Sequence, residues 1–480
     1  MGLTDLFKSK KTIRLEATIE NLKRKYEAAA QSRRTKHWRT GSGDANSEIK
    51  YDLNWLRDRS SDLRRNNPYA HKAIELVSNN VVGKGVMTQI SNDTDNKAKD
   101  LFKEWAYTTA CDYDGRHDLT GLQKIIMDAI QERGECIVRK RFVDDKKFPI
   151  KYQVLESDFL RNDLIDEEQK NGNTLIQGIE FDENGQRVGY HLFTQHPGSR
   201  VRSTDLKSNL INSDEIYHLF RQERPGQVRG VPWLSPCMIR IKDLDGFEDA
   251  QLMRAKIASL FVAFVRDISN DSSIEGEEDL DDYGEKMIPG MIEHLASGKT
   301  IEFANPPSFD LYKEFVGSQL RGIAAGYGVT YESLANDLSE TNFSSGRMGW
   351  IEMDRNVQSW RKHILINQFM KGVEDDFKLI ARLNNVNTDK ISMEHVSPRR
   401  ELIDPEKELK AIKASVRDGF ESRSGAIQSL GRDPEKVYQE IKEDNDKADE
   451  LDLILDTDPR YNNNSGAKHP NDGESTDEKE

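Results

Sequence analysis

Between Glu135 and Arg221 the apolar residues fall on every second position, whereas on both sides of that block they recur at intervals of three and four. A period of two divides side chains between the faces of a strand, and a period near 3.6 gathers them on one stripe of a helix. The chain is therefore expected to carry a sheet flanked in sequence by helices. Candidate strands cover 136–142, 150–155, 175–181, 188–193 and 216–220, with Asp182-Glu183-Asn184-Gly185 as a turn between two of them. Connections this short cannot hold crossover helices, so the sheet is expected to be antiparallel and the fold class α+β.

Before the sheet, Asn66-Asn67-Pro68 supplies a helix start with an asparagine cap and proline in the first turn. Ala70, Ala73, Ile74, Val77 and Val81 then form one apolar stripe, ended by Gly83 and Gly85. Ala98, Leu101, Phe102 and Trp105 mark a second helix, and Leu122, Ile125, Ile126, Ala129 and Ile130 a third that closes at Gly134. After the sheet a long helix is expected over 236–266, on the order of 45 Å if unbroken. Residues 267–283 are acidic and loop-like, and 291–295, 296–299 and 300–303 read as a small hairpin. A helix over 309–327, a Ser-rich connector over 337–346, a long helical stretch over 348–383 and two or three shorter helices over 404–443 complete the order. From Asn462 the tail is polar enough to be disordered.

With 480 residues, two to four modules are expected, yet only 36% of the chain is hydrophobic. Core material is short, which calls for an elongated shape, polar-faced helices or large subunit interfaces. The net charge of −14 argues against gripping nucleic acid through a broad basic surface. Residues 1–40 run the other way, with eleven Lys and Arg against four Asp and Glu, and read as a basic arm. The longest apolar run, from Ile257 to Val265, is about half of what a membrane span needs. No signal peptide and no membrane partner are expected. Cys111, Cys136 and Cys237 are far apart and fall in apolar patterns, so they read as reduced, half-buried thiols.

Chemistry is hard to assemble from these residues. Gly298-Lys299-Thr300 resembles the end of a phosphate loop, but Glu293 stands where the first glycine belongs, and Ile301-Glu302-Phe303 continues as a strand instead of a helix. The ten histidines contain no HExxH spacing and no cysteine lies close to another, so neither metal site nor cofactor is expected. Asp281-Asp282 and Asp375-Asp376 read as solvated charge before they read as cation ligands. No catalytic residue is assigned.

Several blocks in order resemble the lambda-type family of tailed-phage portal proteins. They are Arg64-Arg65-Asn66-Asn67-Pro68-Tyr69-Ala70 with Asn79-Asn80-Val81-Val82-Gly83-Lys84-Gly85, then 221–234 from Arg221-Gln222-Glu223-Arg224-Pro225-Gly226 to Pro232-Trp233-Leu234, the most specific of the set. Asp243-Leu244-Asp245, Arg254-Ala255-Lys256, 301–306, 337–345 and 398–411 follow. The resemblance spans roughly 25–445.

It implies a ring of twelve subunits at one capsid vertex, a homo-oligomer through which double-stranded DNA is packaged and ejected. It also implies a location in the virion, with assembly in the host cytoplasm, and partners in a terminase large subunit, a major capsid or scaffold protein and head-completion proteins. By order of elements the portal-type subunit would comprise the arm (1–40), a wing of helices and antiparallel sheet (41–235), a stem helix (236–266), a clip (267–307), a second stem helix (308–335), a tunnel loop (336–347), a long helix returning to the wing (348–400), crown helices (401–445) and an acidic tail (446–480). Asn342, Ser344, Ser345 and Arg347 would approach DNA, the plainer reading being turn packing. Asp281, Asp282, Glu285, Glu293 and Lys299 would meet the terminase. Arg221, Glu223, Arg224 and Arg229 would hold subunits, or wing and stem, together, the plainer reading being an exposed charge cluster. The rival classes are a nucleotide-handling packaging enzyme resting on Gly298-Lys299-Thr300 and a monomeric structural adaptor of a phage particle.

Overall fold

A computed structural model describes residues 41–93, 95–164, 166–169, 172–199, 206–259, 263–267, 299–303, 311–398, 404–432, 434–453 and 455. The basic arm, most of the expected clip and the tail from 456 lie outside the described residues. The chain divides into Met1–Glu48 and Ile49–Glu480. In the first unit the Asp44 carboxylate accepts the backbone N–H groups of Asn46 and Ser47 at 3.1 and 3.3 Å, opening α1 (Ala45–Lys50).

In the second unit α2 (Leu53–Asn66) and α3 (Pro68–Val82) meet at Asn67. Its side chain accepts the Tyr69 and Ala70 N–H groups at 3.0 Å while Pro68 occupies the first turn, the start that the sequence predicts. Gly83 ends α3 at φ +55°. Then come β1 (Met87–Ser91), α4 (Lys97–Ala106) and α5 (Leu119–Arg133), which Asp118 caps through the Gly121 N–H and Gly134 ends at φ +88°.

The sheet region is antiparallel throughout and forms two sheets. β2 (Glu135–Phe142) pairs with β3 (Ile150–Glu156). The second sheet runs β4 (Glu167–Glu168), β5 (Thr174–Ile176), β6 (Ile179–Phe181), β7 (Arg187–Phe193), β8 (Ser208–Asn212) in chain order, and β9 (Ile216–Phe220) then returns to the other edge of β2. The turn at Asp182 joins β6 to β7, its carboxylate accepting the Asn184 and Gln186 N–H groups. The expected strand over 175–181 is two strands, because Gln177 and Gly178 take φ of +48° and +84° and reverse the chain. A Cβ on Gly178 would lie 1.8 Å from the Arg161 carbonyl oxygen. Gly178→Ala is therefore expected to cost about 1–3 kcal/mol, read from the denaturant midpoint. An unchanged midpoint would show that the turn relaxes freely.

α6 (Met238–Ser259) passes through Gly246 without a break and is about 33 Å long. It stops short of the expected 266, and β10 (Ala263–Asp267) pairs antiparallel with β11 (Lys299–Phe303). This pairing spans the segment 268–298, and residues 291–298 of the expected hairpin lie outside the described residues. Uninterrupted apolar runs such as 260–265 carry no period, so sequence cannot tell helix from strand there.

α7 (Tyr312–Tyr327) and α8 (Tyr331–Ala335) precede a continuous helical run of three parts: α9 (Phe343–Trp360), a π-helical segment (Arg361–Met370) and α10 (Lys371–Leu383). The π segment is where this rod docks. Buried Arg361 donates to the Val81 and Asn80 carbonyls at the end of α3, at 2.7 and 2.6 Å, and Gln368 bonds the backbone N–H and C=O of Phe220 in β9. β12 (Ser392–Val396) pairs with β1, and α11 (Pro405–Arg417), α12 (Arg423–Ser429) and α13 (Pro434–Glu450) follow.

The main core lies where α3, α4, α5, β2 and β3, the start of α6, α7 and the long rod converge, with Phe102, Trp105, Tyr152, Trp233, Tyr327, Phe369 and Phe377 at its centre. All three cysteines are free and fully buried, more so than the expected half-buried thiols. Burial pushes the Cys111 thiol up to about 12 and the Cys237 thiol to about 11.

Candidate functional site

The connector after α8 is held by its own side chains. The Asp337 carboxylate accepts the Ser339 hydroxyl and backbone N–H at 2.6 and 3.1 Å and the Tyr331 hydroxyl at 3.0 Å. The Ser339 bonds draw its pKa below the usual value. Glu340 reaches back to Lys313 and Arg321 of α7 at 3.4 and 3.7 Å.

Asn342 then starts α9. Its side-chain oxygen accepts the Ser345 N–H at 2.8 Å, and the Ser345 hydroxyl accepts the Asn342 N–H at 3.1 Å, a reciprocal capping box. Two of the four sequence-selected groups are thus committed to the helix start. Ser344 is exposed, and the Arg347 guanidinium stands 4.0 Å from Glu408 of α11. Phe343 and Met348 are also exposed, at 57% and 70%. This end of α9 offers the positive pole of an 18-residue helix, one half-exposed arginine and a free-standing hydroxyl, a surface that attracts anions weakly.

Arg221, Glu223, Arg224 and Arg229 do not form one cluster. Arg221 pairs with Glu223 and lays its guanidinium 4.4 Å from the Trp233 ring, joining the segment after β9 to the residues that lead into α6. Arg224 is exposed. Arg229 is fully enclosed: its Nε and Nη2 donate to Glu135 Oε1 at 2.8 and 2.6 Å, and Nη1 donates to the Gln177 carbonyl at 2.8 Å.

Glu135 is a residue that sequence reasoning missed. Besides Arg229 it accepts Arg57 Nη2 at 2.6 Å, His218 Nε2 at 3.0 Å and the Gly230 N–H at 2.7 Å. One carboxylate thereby ties α2, the first residue of β2, β9 and the 229–230 segment. Burial alone would raise its pKa, but Arg229, Arg57 and His218 outweigh that and hold it well below the usual carboxylate range. Burial lowers the Arg57 guanidinium to about 10 and depresses the His218 imidazole. His218 is therefore neutral at pH 7, with its proton on the nitrogen that faces the carboxylate. Gly230 makes the approach possible, since a Cβ there would lie 2.1 Å from the Gly134 carbonyl oxygen. The legible signal was a charged residue placed directly before the apolar run Cys136-Ile137-Val138; of its partners, Arg229 was singled out from the sequence as a contact residue and Arg57 was not.

The two acids of Asp375-Asp376 point apart, as adjacent helix residues must, but only Asp375 is solvated. Asp376 is buried, and it accepts Lys140 at 2.9 Å and the Tyr152 and Tyr217 hydroxyls at 2.9 and 2.7 Å. Reading Asp376 as solvated charge is corrected: its donors are a lysine and two phenols spread over three strands. Burial first, then the Asp376 charge, raises both tyrosines above their ordinary value.

Lys299 opens β11, so the Gly298-Lys299-Thr300 segment runs into a strand and lacks the helix that a phosphate loop needs. Asp281, Asp282, Glu285 and Glu293 lie outside the described residues. Among the described residues, Glu156, Asp158 and His196 bring ligand atoms within 4.8 Å of one another, but Asp158 accepts the Arg133 guanidinium and His196 bonds Glu156.

Residues 31–361 match the model of the family described as phage portal protein, lambda family. A probable portal protein of Halomonas phage phiHAP-1 is 27% identical over 449 residues, covering 88% of this chain and 86% of the relative. Portal protein B of Escherichia phage lambda is 23% identical over 333 residues, covering 60% of this chain and 62% of the relative. Among solved structures, a chain from the virion of a native gene transfer agent particle is 12% identical with a TM-score of 0.47, covering 80% of this chain and 94% of that one. The family match extends over more than half of the sequence and takes in the helices around Asn67, both sheets, the Arg221–Trp233 segment, α6 and the capped start of α9, so this chain belongs to the lambda family of phage portal proteins.

Proposed function

We propose that this chain assembles into a ring of twelve copies at one vertex of a phage capsid, with a central channel that double-stranded DNA crosses during packaging and ejection. A portal protein is a structural part of the particle and not an enzyme; a terminase large subunit supplies ATP hydrolysis, and capsid or scaffold and head-completion proteins are its other neighbours. The observation that carries the ring, beyond family membership, is the state of α6. Its first half is anchored by Ile241 and Leu244 in the core, by Phe247, whose ring lies 4.5 Å from that of Phe315, and by Glu248, bonded to Tyr69. From Asp249 to Lys256 no residue is buried, although Leu252 and Met253 are there, 54% and 57% exposed. Apolar side chains in that position need cover, and a neighbouring copy supplies it.

In this reading α6 and α7 are the stem, and β10 with β11 is the base of the clip. Asp281, Asp282, Glu285, Glu293 and Lys299 of the clip meet the terminase, and the Arg221–Trp233 stack holds wing to stem. Twelve copies would carry a formal charge of about −168. A wall of that sign repels the duplex weakly, with screening over about 8 Å, and so centres it without gripping it. Contacts at Asn342, Ser344, Ser345 and Arg347 are then few and exchangeable.

Light scattering tests the assembly. The purified chain is expected at about 660 kDa, against 55.0 kDa for one copy. Leu252→Lys with Met253→Lys is expected to shift it to the single-copy mass with an unchanged circular dichroism spectrum. A wild-type chain that stays at the single-copy mass at micromolar concentration and physiological salt would sink the ring.

A further inference from the structure

Away from the sites above, β1, α4 and the α12–α13 turn enclose a groove of about 370 Å³. Its floor is apolar, with Met87, Ile90, Phe102, Tyr107 and Val437, and its rim carries Lys99, Lys103, Arg432 and Lys436; Arg432 and Lys436 share Glu440 at 2.8 and 3.7 Å and Lys103 stands 3.9 Å from Asp100, which leaves cations in excess. The side chains of Lys103, Arg432 and Lys436 are 58%, 60% and 73% exposed. An apolar floor inside a cationic rim suits an acidic segment with apolar anchors better than a bare phosphate chain, which has nothing to place on Met87 and Val437.

Such a segment closes α13. Leu451 and Leu453 are 61% and 52% exposed and alternate with Glu450 and Asp452. The arrangement is locally unfavourable. The C-terminus of a helix is its negative pole, where cations are preferred, yet Asp449, Glu450 and Asp452 crowd there beside one lysine, Lys447. The end is also fixed in place, because the Leu453 N–H bonds the Ala448 carbonyl at 2.9 Å. Along α13 that leaves about 12 Å between Ala448 and Glu440 in the groove wall, so the leucines cannot enter the groove of their own chain.

We propose that Leu451 and Leu453 of one copy seat in the Met87–Val437 groove of the next, with Glu450 and Asp452 against its Arg432 and Lys436. The inference rests on the ring reading and deepens it by naming a contact between neighbours. Socket and plug lie on different surfaces of one chain, so the contact is heterologous, and repeating it around an axis closes a ring.

Full-length chains carrying Met87→Cys are mixed with chains carrying Leu453→Cys, assembled, and treated with a short bismaleimide. The native cysteines are buried, so wild-type protein is expected to give no product. The mixture should give covalent dimers, and the double variant a ladder of multimers. Rings by light scattering with no cross-linked product would overturn this contact and leave the ring standing. A double variant that cross-links only within one chain would overturn the choice of occupant. Single-copy mass with no ladder would overturn both readings. In a second arm, Arg432→Glu with Lys436→Glu should raise the concentration for half-assembly at least about tenfold at low salt, and adding Glu450→Lys with Asp452→Lys should restore it. Unchanged assembly in the first charge variant, or no restoration in the second, would count against the pairing.

Discussion

Glu135→Ala is expected to cost about 3–5 kcal/mol of folding stability, the range for removing one partner of a buried ionic cluster. That is a large share of the ~5–15 kcal/mol that holds a typical domain folded. The size follows from what is left behind. Arg57 and Arg229 are 1% and 0% exposed, and without Glu135 each keeps a buried charge beside the other, while the Gly230 N–H loses its acceptor. A triple variant, Arg57→Met, Glu135→Leu and Arg229→Met, is expected to recover part of the loss, because no charge then remains unpaired. Urea midpoints of the refolded chains decide it; a triple variant no more stable than Glu135→Ala would show that the cost lies in packing and not in charge.

The same cluster contributes to the response to acid. Glu135 has a folded pKa well below its ordinary 4.5, so the unfolded chain takes up that proton first, and the stabilisation present above 4.5 is lost as pH falls below it. His218 is depressed below 6.5 by burial, so the unfolded chain again binds the proton first, and stability begins to fall as pH drops under 6.5. Both signs agree. Stability should decline in two stages, and because burial also depresses the His395 imidazole, His218→Gln should shrink the upper stage without abolishing it and leave the lower one, as read from thermal midpoints at pH 7.5, 5.5 and 4.

Much of the local structure is legible because its causes are local. Asn67, Pro68 and Gly83 bound α3 by capping chemistry within a few residues, and the alternation of Ile150, Tyr152 and Val154 with Lys151 and Gln153 is the imprint of a strand with one face in the core. The capping box at Asn342 and Ser345 was also within reach, since the pair has the spacing of such a box; the Ser-rich composition drew it into a loop instead. What sequence cannot supply is pairing at a distance. β1 meets β12 at Met87 and Val396, and Glu135 finds Arg57 and Arg229 through the fold alone. The end of α6 was illegible for a different reason: the run from 260 to 265 is apolar at every position, so nothing in it distinguishes a helix that continues from a strand that begins.

The second large effect belongs to the α9 start, and its test must separate DNA contact from helix capping, because Asn342 serves the cap whatever else it does. Asparagine and aspartate cap equally well, so Asn342→Asp keeps the bond to the Ser345 N–H and adds a negative charge to the proposed channel wall. Arg347→Ala removes the one cation of that turn and gives up only a 4.0 Å, half-exposed pair with Glu408, worth little to folding. Neither change should alter ring mass. In a ring each is repeated in every copy, and phosphate contacts act multiplicatively on retention. Particles built with Asn342→Asp and Arg347→Ala together are therefore expected to hold at least about tenfold less nuclease-protected DNA than wild type. Asn342→Ser, a neutral cap, should fill normally. Normal filling by the doubly substituted ring would remove DNA from the role assigned to this turn and leave Asn342 and Ser345 as a helix cap alone.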